Sequence, residues 1–246
     1  DSVLLDAGAG HTNYLWSTGD TTQTIYANAA GTYNVTVGNG TSVSNSNSLS
    51  FDGQDDYVEI PNVSNFPTAS ITIEIQFKSN DINADETIFS YATQNHSNEL
   101  LIKNPRNLSF ITNSNQLELI YPGIVFNDTL YHTLTFTRLS QNGECHIYLD
   151  GTEVWNGNNN VGDFEPGGTI ILGQEQDGMA TGFETHQAMS GNIVSLRIWD
   201  NILSQTETQN NITSPPTGNE AGLVGYWKFN EGSGSTVTDL TGNGNN

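Results

Sequence analysis

Cysteine is almost absent from this chain: Cys145 is the one example in 246 residues, so no internal disulfide framework can form. Basic residues are nearly as scarce, with 6 lysines and arginines against 27 acidic residues and a formal charge of -21. A field of that sign repels phosphate backbones and anionic membrane surfaces, which speaks against nucleic acid as a partner, and it attracts divalent cations. The lack of cationic neighbours also leaves nothing to lower the Cys145 thiol pKa, so this residue is expected to pack as a small apolar group. No apolar run reaches the ~20 residues of a membrane-spanning helix, so no membrane insertion is expected. Nothing at Asp1 resembles a signal peptide, and the chain reads as a fragment of a longer protein.

What the chain does contain is short alternating runs separated by turns. Ile71, Ile73, Ile75 and Phe77 alternate with polar residues at period two, the pattern of a strand with one buried face. Leu134, Phe136 and Arg138, then His146, Tyr148 and Asp150, repeat that rhythm around a turn at Gln141-Asn142-Gly143. Leu223 to Phe229 alternates again and reads as a returning strand. A short helix is expected from Ser204 as N-cap, with Glu207 at capping-box spacing, ending before Pro215-Pro216. The fold class that follows is all-β: a two-sheet antiparallel jelly-roll sandwich with one short helix.

Residues 1–46 read as a separate small β module, with strand-like runs at Tyr14 to Ser17, Gln23 to Ala27 and Thr32 to Val37 bounded by glycine turns. The Ser-, Asn- and Gly-rich stretch from Gly40 to Asn47 is expected to be a flexible or strand-edge linker. Residues 47–246 then form the main domain.

The candidate chemistry is concentrated in one loop. After the apolar run Thr169 to Leu172 come Gln174, Glu175, Gln176, Asp177, Glu184 and Gln187, a set of carboxylates and amide oxygens. Ca²⁺ takes six to eight such oxygens at ~2.3–2.6 Å. In extended backbone residues i and i+2 face one side, so Glu175 and Asp177 can aim at one point while Gln176 turns its carbonyl towards it. On spacing alone, a solvated acidic loop is an equal reading. The EF-hand pattern is absent.

The run Ile170 to Gln187, continuing through Gly191-Asn192-Ile193 to Arg197-Ile198-Trp199-Asp200, resembles the calcium loop and following strand of the pentraxins. Ile88 to Thr93 with Asn98 to Ile102, and Ile147 to Gly151, resemble further segments of that family; Ser48 to Gly53 with Asp55 to Val58 is similar to the opening of the wider laminin-G-like, concanavalin-like group. The resemblance covers roughly 47–232. It implies a jelly roll with a two-ion calcium site held by Glu175, the Gln176 carbonyl, Asp177, Glu184, Gln187 and Asn98. Ser97 stands where the family carries an aspartate, a lost charge that should weaken one ion. Glu74 and Leu134 correspond to the paired cysteines of mammalian members. Lys103 corresponds to the apolar wall of the choline pocket, where a cation favours an anionic ligand; pointing to solvent is the other reading. Residues 1–46 resemble part of an immunoglobulin-like repeat of large bacterial surface proteins.

Catalysis finds little support in the residues. The Glu-x-Asp-x-x-Glu pattern of concanavalin-like glycosidases begins at Glu175 and Asp177 but reaches Ala180, not a second glutamate. Cys145 and His146 are strand neighbours that point to opposite faces. The histidines lack zinc spacing, although His96 and His186 lie beside the calcium residues and can touch a ligand. Trp155, Trp199 and Trp227 sit in apolar strand patterns and read as core. Asp239 and Asn243, in a Gly/Asn-rich tail similar to laminin-G-like segments, read either as holders of a structural ion or as part of a frayed end. The expectation is therefore a non-enzymatic, secreted or cell-surface bacterial module that binds polysaccharide or glycoconjugate through calcium, with acidic glycans favoured and oligomers possible. The alternative is a structural or protein-binding adhesin domain stiffened by calcium.

Overall fold

The computed structural model describes residues 2–9, 13–20, 22–38, 45–80, 85–105, 107–112, 118–120, 123–124, 126, 130–159 and 161–246. It divides into two compact units, Asp1–Ser42 and Val43–Asn246.

The first unit holds β1 (Val3–Asp6), β2 (Asn13–Trp16), β3 (Thr24–Ala27) and β4 (Val35–Gly38), paired antiparallel as β1 with β3 and β2 with β4. Strand β1 goes beyond the three runs read from the sequence. Its Val-Leu-Leu-Asp lacks alternation, and Val3 and Leu4 are exposed. Trp16 and Ile25 are buried in this unit, and the Trp16 indole N–H donates to the Thr22 carbonyl at 2.8 Å.

The second unit is a sandwich of two antiparallel sheets. Its strands are β5 (Leu49–Asp52), β6 (Val58–Val63), β7 (Ser70–Ser79), β8 (Thr87–Ala92), β9 (Leu100–Lys103), β10 (Ser109–Thr112), β11 (Glu118–Ile120), β12 (His132–Leu139), β13 (Glu144–Leu149), β14 (Thr152–Asn158), β15 (Gly168–Leu172), β16 (Ser190–Trp199) and β17 (Leu223–Trp227). One sheet runs β11-β10-β9-β8-β15-β6. The other runs β14-β13-β12-β7-β16-β17, with β5 also pairing to β16. The core between them takes Ile71, Ile73, Ile75 and Phe77 from β7, Leu134 and Phe136 from β12, and Trp227 from β17. Full burial of such a side chain stabilises by about 1.5–3 kcal/mol relative to exposure. Cys145 belongs to this core as a fully buried thiol that donates to the Gly143 carbonyl at 3.4 Å. Trp155 packs against it from partial burial, and Trp199 lies in a second apolar cluster with Leu203, Leu223 and Tyr226.

That second cluster covers the outer face of β7, where the alternating pattern alone would put solvent. Helix α1 (Gln205–Thr213) begins at Ser204 with a complete capping box to Glu207 and ends before Pro215. Glu74, fully buried beneath it, accepts hydrogen bonds from the Trp199 indole at 2.9 Å and the Asn211 amide at 3.0 Å, and lies 3.5 Å from the Arg197 guanidinium. Burial pushes the Glu74 carboxyl up, and Arg197 and the two donors only partly offset it. Glu74 faces Thr135 and Leu134 faces Ile75, so the two positions aligned with paired cysteines emerge on opposite faces of the sheet.

Both ends of this unit are held down. Of the expected flexible linker, residues 40–44 lie outside the described residues, and the rest is tied to the sandwich. Asn45 donates to Val194 and Lys228 carbonyls, and the Asn47 backbone N–H donates to the Asn230 side chain at 3.1 Å. The C-terminal tail is not frayed. Asp239 is buried and accepts from the backbone N–H of Tyr226, Thr241 and Asn245, the Thr241 hydroxyl and the Asn245 amide. The Asn243 amide is spent on the Val224 carbonyl at 2.8 Å. Protein donors thus take up the Asp239 carboxylate, which closes the tail as a clasp with no ion required.

Candidate metal centre

Strand β15 delivers the acidic loop, and Gly173 turns it. Its φ of +87 is left-handed, and a Cβ there would lie 2.4 Å from the Phe51 ring, so only glycine fits. The loop base closes where the Met189 N–H donates to the Gly173 carbonyl at 2.9 Å. Inside this base Gln174, Glu175 and Gln176 are buried.

The Gln176 side chain is a structural staple. Its amide N–H groups donate to the Ser90 and Thr169 carbonyls at 3.2 and 3.0 Å, and its oxygen accepts from the Ala180 N–H at 2.9 Å. With that oxygen taken, Gln176 has its main-chain carbonyl to offer an ion. Asp177 opens a tight turn, its N–H donating to the Thr181 carbonyl at 3.0 Å. Gly182, φ +80, lets the returning strand pass the Asp177 side chain, where a Cβ would sit 2.5 Å from Asp177 Cβ. A 3-10 turn at Thr185–Gln187 then points Gln187 back towards Glu175.

Glu175 is the hub. Burial pushes its carboxyl up and the Asp177 charge adds to that, while hydrogen bonds from Asn98 and Gln187 and the positive charge of Lys103 act the other way. Asn98 and Gln187 each spend amide hydrogens on Glu175, and Asn98 Oδ1 and Gln187 Oε1 are left buried with no donor. Gln174 Oε1, at the start of the same loop, is in the same condition, although the resemblance does not place it in the ligand set. Buried acceptors without donors cost about 1–3 kcal/mol each. Neutral oxygens beside two carboxylates form a hard, oxygen-only donor set, the kind that suits Ca²⁺. The residues present therefore fit a calcium ion.

Glu184 stands apart. Its side chain is exposed and lies 3.3 Å from His186, itself exposed. Among the described residues, three carboxylates with oxygens within 4.8 Å of one another occur at Asp52, Asp55 and Asp56, not at Glu175, Asp177 and Glu184. Two adjacent negative charges repel a third, and the His186 ring offers Glu184 a better partner. The Asp52–Asp56 group does turn work: Asp56 accepts from the Asp52 N–H at 3.0 Å and Asp52 from the Gln54 N–H at 2.9 Å.

A cleft of about 360 Å³ is lined by Asp177 together with His96 and Ser97. The turn that carries them is set by Glu165, which accepts from the Thr93 hydroxyl at 2.6 Å and the Asn95 amide at 2.5 Å. Glu165 donates its own N–H to buried Glu99 at 2.5 Å. His96 sits between these acids, 3.5 Å from Glu99 and 3.9 Å from Glu165. Lys103 does not point freely to solvent: it pairs with Asp85 at 3.2 Å, within electrostatic reach of Glu175.

Residues 48–220 match the Pentaxin family. The chain belongs to the pentraxin family. Rat neuronal pentraxin-1 is 32% identical over 147 residues, 57% of this chain and 33% of that protein. Pig C-reactive protein is 29% identical over 128 residues, 52% of this chain and 57% of that one. The chain thus spans a third of the length of the neuronal pentraxin and just over half of C-reactive protein. The native heptameric SAP-like pentraxin from Limulus polyphemus superposes with a TM-score of 0.62 at 22% identity, covering 78% of this chain and 94% of that one. Domain 4 of an extracellular GH43 arabinanase from Geobacillus stearothermophilus gives 0.54 at 15% identity, covering 71% and 83%. The pentraxin jelly roll is the fold of the second unit.

Proposed function

We propose that this pentraxin domain is a calcium-dependent, non-catalytic glycan-binding module of a secreted or surface bacterial protein. The observation that carries the reading is the pair of buried, donorless oxygens, Asn98 Oδ1 and Gln187 Oε1, on either side of the Glu175 carboxylate. An ion held by Glu175, Asp177, the Gln176 carbonyl, Asn98 and Gln187 satisfies them, and Glu184, exposed beside His186, is left for a second, weaker ion. That pentraxins as a family bind calcium supports the same assignment. The ion supplies a Lewis-acidic centre for anionic oxygens or vicinal hydroxyls. The chain's own residues orient the ligand: Asp177 and His96 both line the cleft, and Lys103 contributes positive charge within reach of Glu175.

Lys103 favours carboxylated or sulfated polysaccharide over phosphocholine, whose quaternary ammonium it repels. His186, beside Glu184, is the remaining ligand-contact candidate. The N-terminal unit serves as an immunoglobulin-like spacer, and assembly into a ring is compatible with the family. A glycan array run with calcium and with chelator tests the reading. Acidic glycans should bind in calcium alone, and Lys103→Ala should weaken them without changing calcium affinity. An array blank in both conditions leaves a calcium-stiffened adhesin segment as the function, and tight phosphocholine binding overturns the anion preference.

A further inference from the structure

A cleft of about 710 Å³ in the second unit lies between edge strand β6 and the C-terminal segment, and none of the calcium loop's carboxylates lines it. We propose that this cleft is a separate, calcium-independent saccharide site for neutral sugars. Its size falls within the roughly 300–1,000 Å³ typical of small-ligand sites. Tyr57 lines it and is 46% exposed, yet its ring is fixed by Phe183, with centroids 4.6 Å apart. A held, half-open tyrosine offers a flat apolar face with a polar tip, which matches the C–H face and hydroxyl rim of a pyranose.

Around the ring the cleft presents Glu59, Glu231, Ser235 and Thr236, all exposed. Carboxylates accept the protons of neighbouring sugar hydroxyls in charge-assisted hydrogen bonds. They also repel uronate and sulfate, so the selectivity is opposite to that of an ion-mediated site. A strand-adding peptide is the competing occupant of a free sheet edge, and β6 is built against it. Pro61 has no N–H to give, and Asn62 turns the backbone with φ +52.

The test is saturation-transfer NMR on the full chain in chelator, with neutral trisaccharides of glucose, mannose and galactose as probes and tri-galacturonate as the anionic control. At least one neutral trisaccharide should respond while tri-galacturonate stays silent. The response should persist in Asp177→Ala and in Tyr57→Phe. It should weaken about tenfold in Tyr57→Ala and vanish in Ser235→Trp, which fills the cleft from an exposed loop. Silence of every neutral probe, a response that survives Ser235→Trp, or one that disappears in Asp177→Ala overturns the proposal. Because chelator is present throughout, failure here is distinct from failure of the calcium-dependent reading.

Discussion

Removing the buried carboxylate at Glu175 should have opposite effects with and without calcium. In chelator, Glu175 is a buried charge held up by desolvation and by Asp177, with hydrogen bonds from Asn98 and Gln187 offsetting only part of that cost. Glu175→Gln keeps the shape and removes the charge, so the chelated variant should melt higher than the chelated parent. With calcium the order reverses. An ion present at about 100 times its Kd stabilises the folded state by about 2.7 kcal/mol through mass action. In a unit as long as Val43–Asn246, each kcal/mol is worth about 2–4 °C of melting temperature. The parent should therefore gain about 5–10 °C on adding calcium, and Glu175→Gln should gain little. Scanning calorimetry of both proteins, in calcium and in chelator, supplies all four values. A full calcium-induced shift in Glu175→Gln, or none in the parent, refutes the assignment of Glu175 as the hub.

Two further outcomes concern stability away from the ion. Burial raises the Glu220 carboxyl, but the N–H groups of Thr217 and Gly218 outweigh it and hold its pKa at about 2, against an ordinary 4.5. A depressed carboxylate adds stability above its unfolded value, lost as pH falls towards 2. Glu220→Gln should therefore cost about 1 kcal/mol at pH 7, a figure reduced for solvent screening, and nothing at the acid end; a urea-unfolding difference that persists there contradicts this. Asp239→Ala leaves buried donors of the C-terminal clasp unmatched and should cost about 2–4 kcal/mol, with faster hydrogen exchange over 238–246. Chelator should not change that cost, and a calcium-dependent loss would mean that Asp239 holds an ion after all.

Much of the architecture was readable because its signals are local. Period-two alternation marked β7, β12 and β13, and the Ser204/Glu207 spacing marked α1 within one residue. What escaped depends on distant partners. A glutamate in an alternating strand reads as solvent-facing, yet Glu74 is covered by Trp199 and Asn211, over 120 residues away in sequence. Glu165 carries no sequence signal of its own, and only the fold brings it to Thr93 and Asn95. The tail was misjudged for the same reason: its Gly/Asn composition suggests fraying, and the Asp239 contacts to Tyr226 and Asn245 that prevent it are tertiary.

The charge inventory of the candidate centre bears on how many ions it takes. Glu175 and Asp177 supply two carboxylates, enough to balance one Ca²⁺ when both are ionised around it, and Asn98, Gln187 and the Gln176 carbonyl add only neutral oxygens. A second ion needs further carboxylates. Glu184 is the nearest in sequence, but it faces His186 and lies outside the Glu175–Asp177 group. Ser97 lines the adjoining cleft without a charge. Fewer and looser carboxylates mean weaker calcium affinity, so titration calorimetry should give one tight ion per chain and a second that is much weaker or absent. Glu184→Ala should leave the tight phase intact, whereas Ser97→Asp should strengthen total calcium binding. Two ions of equal affinity in the parent, or loss of the tight ion in Glu184→Ala, would mean that Glu184 swings in to complete the first site and that its pairing with His186 gives way to calcium.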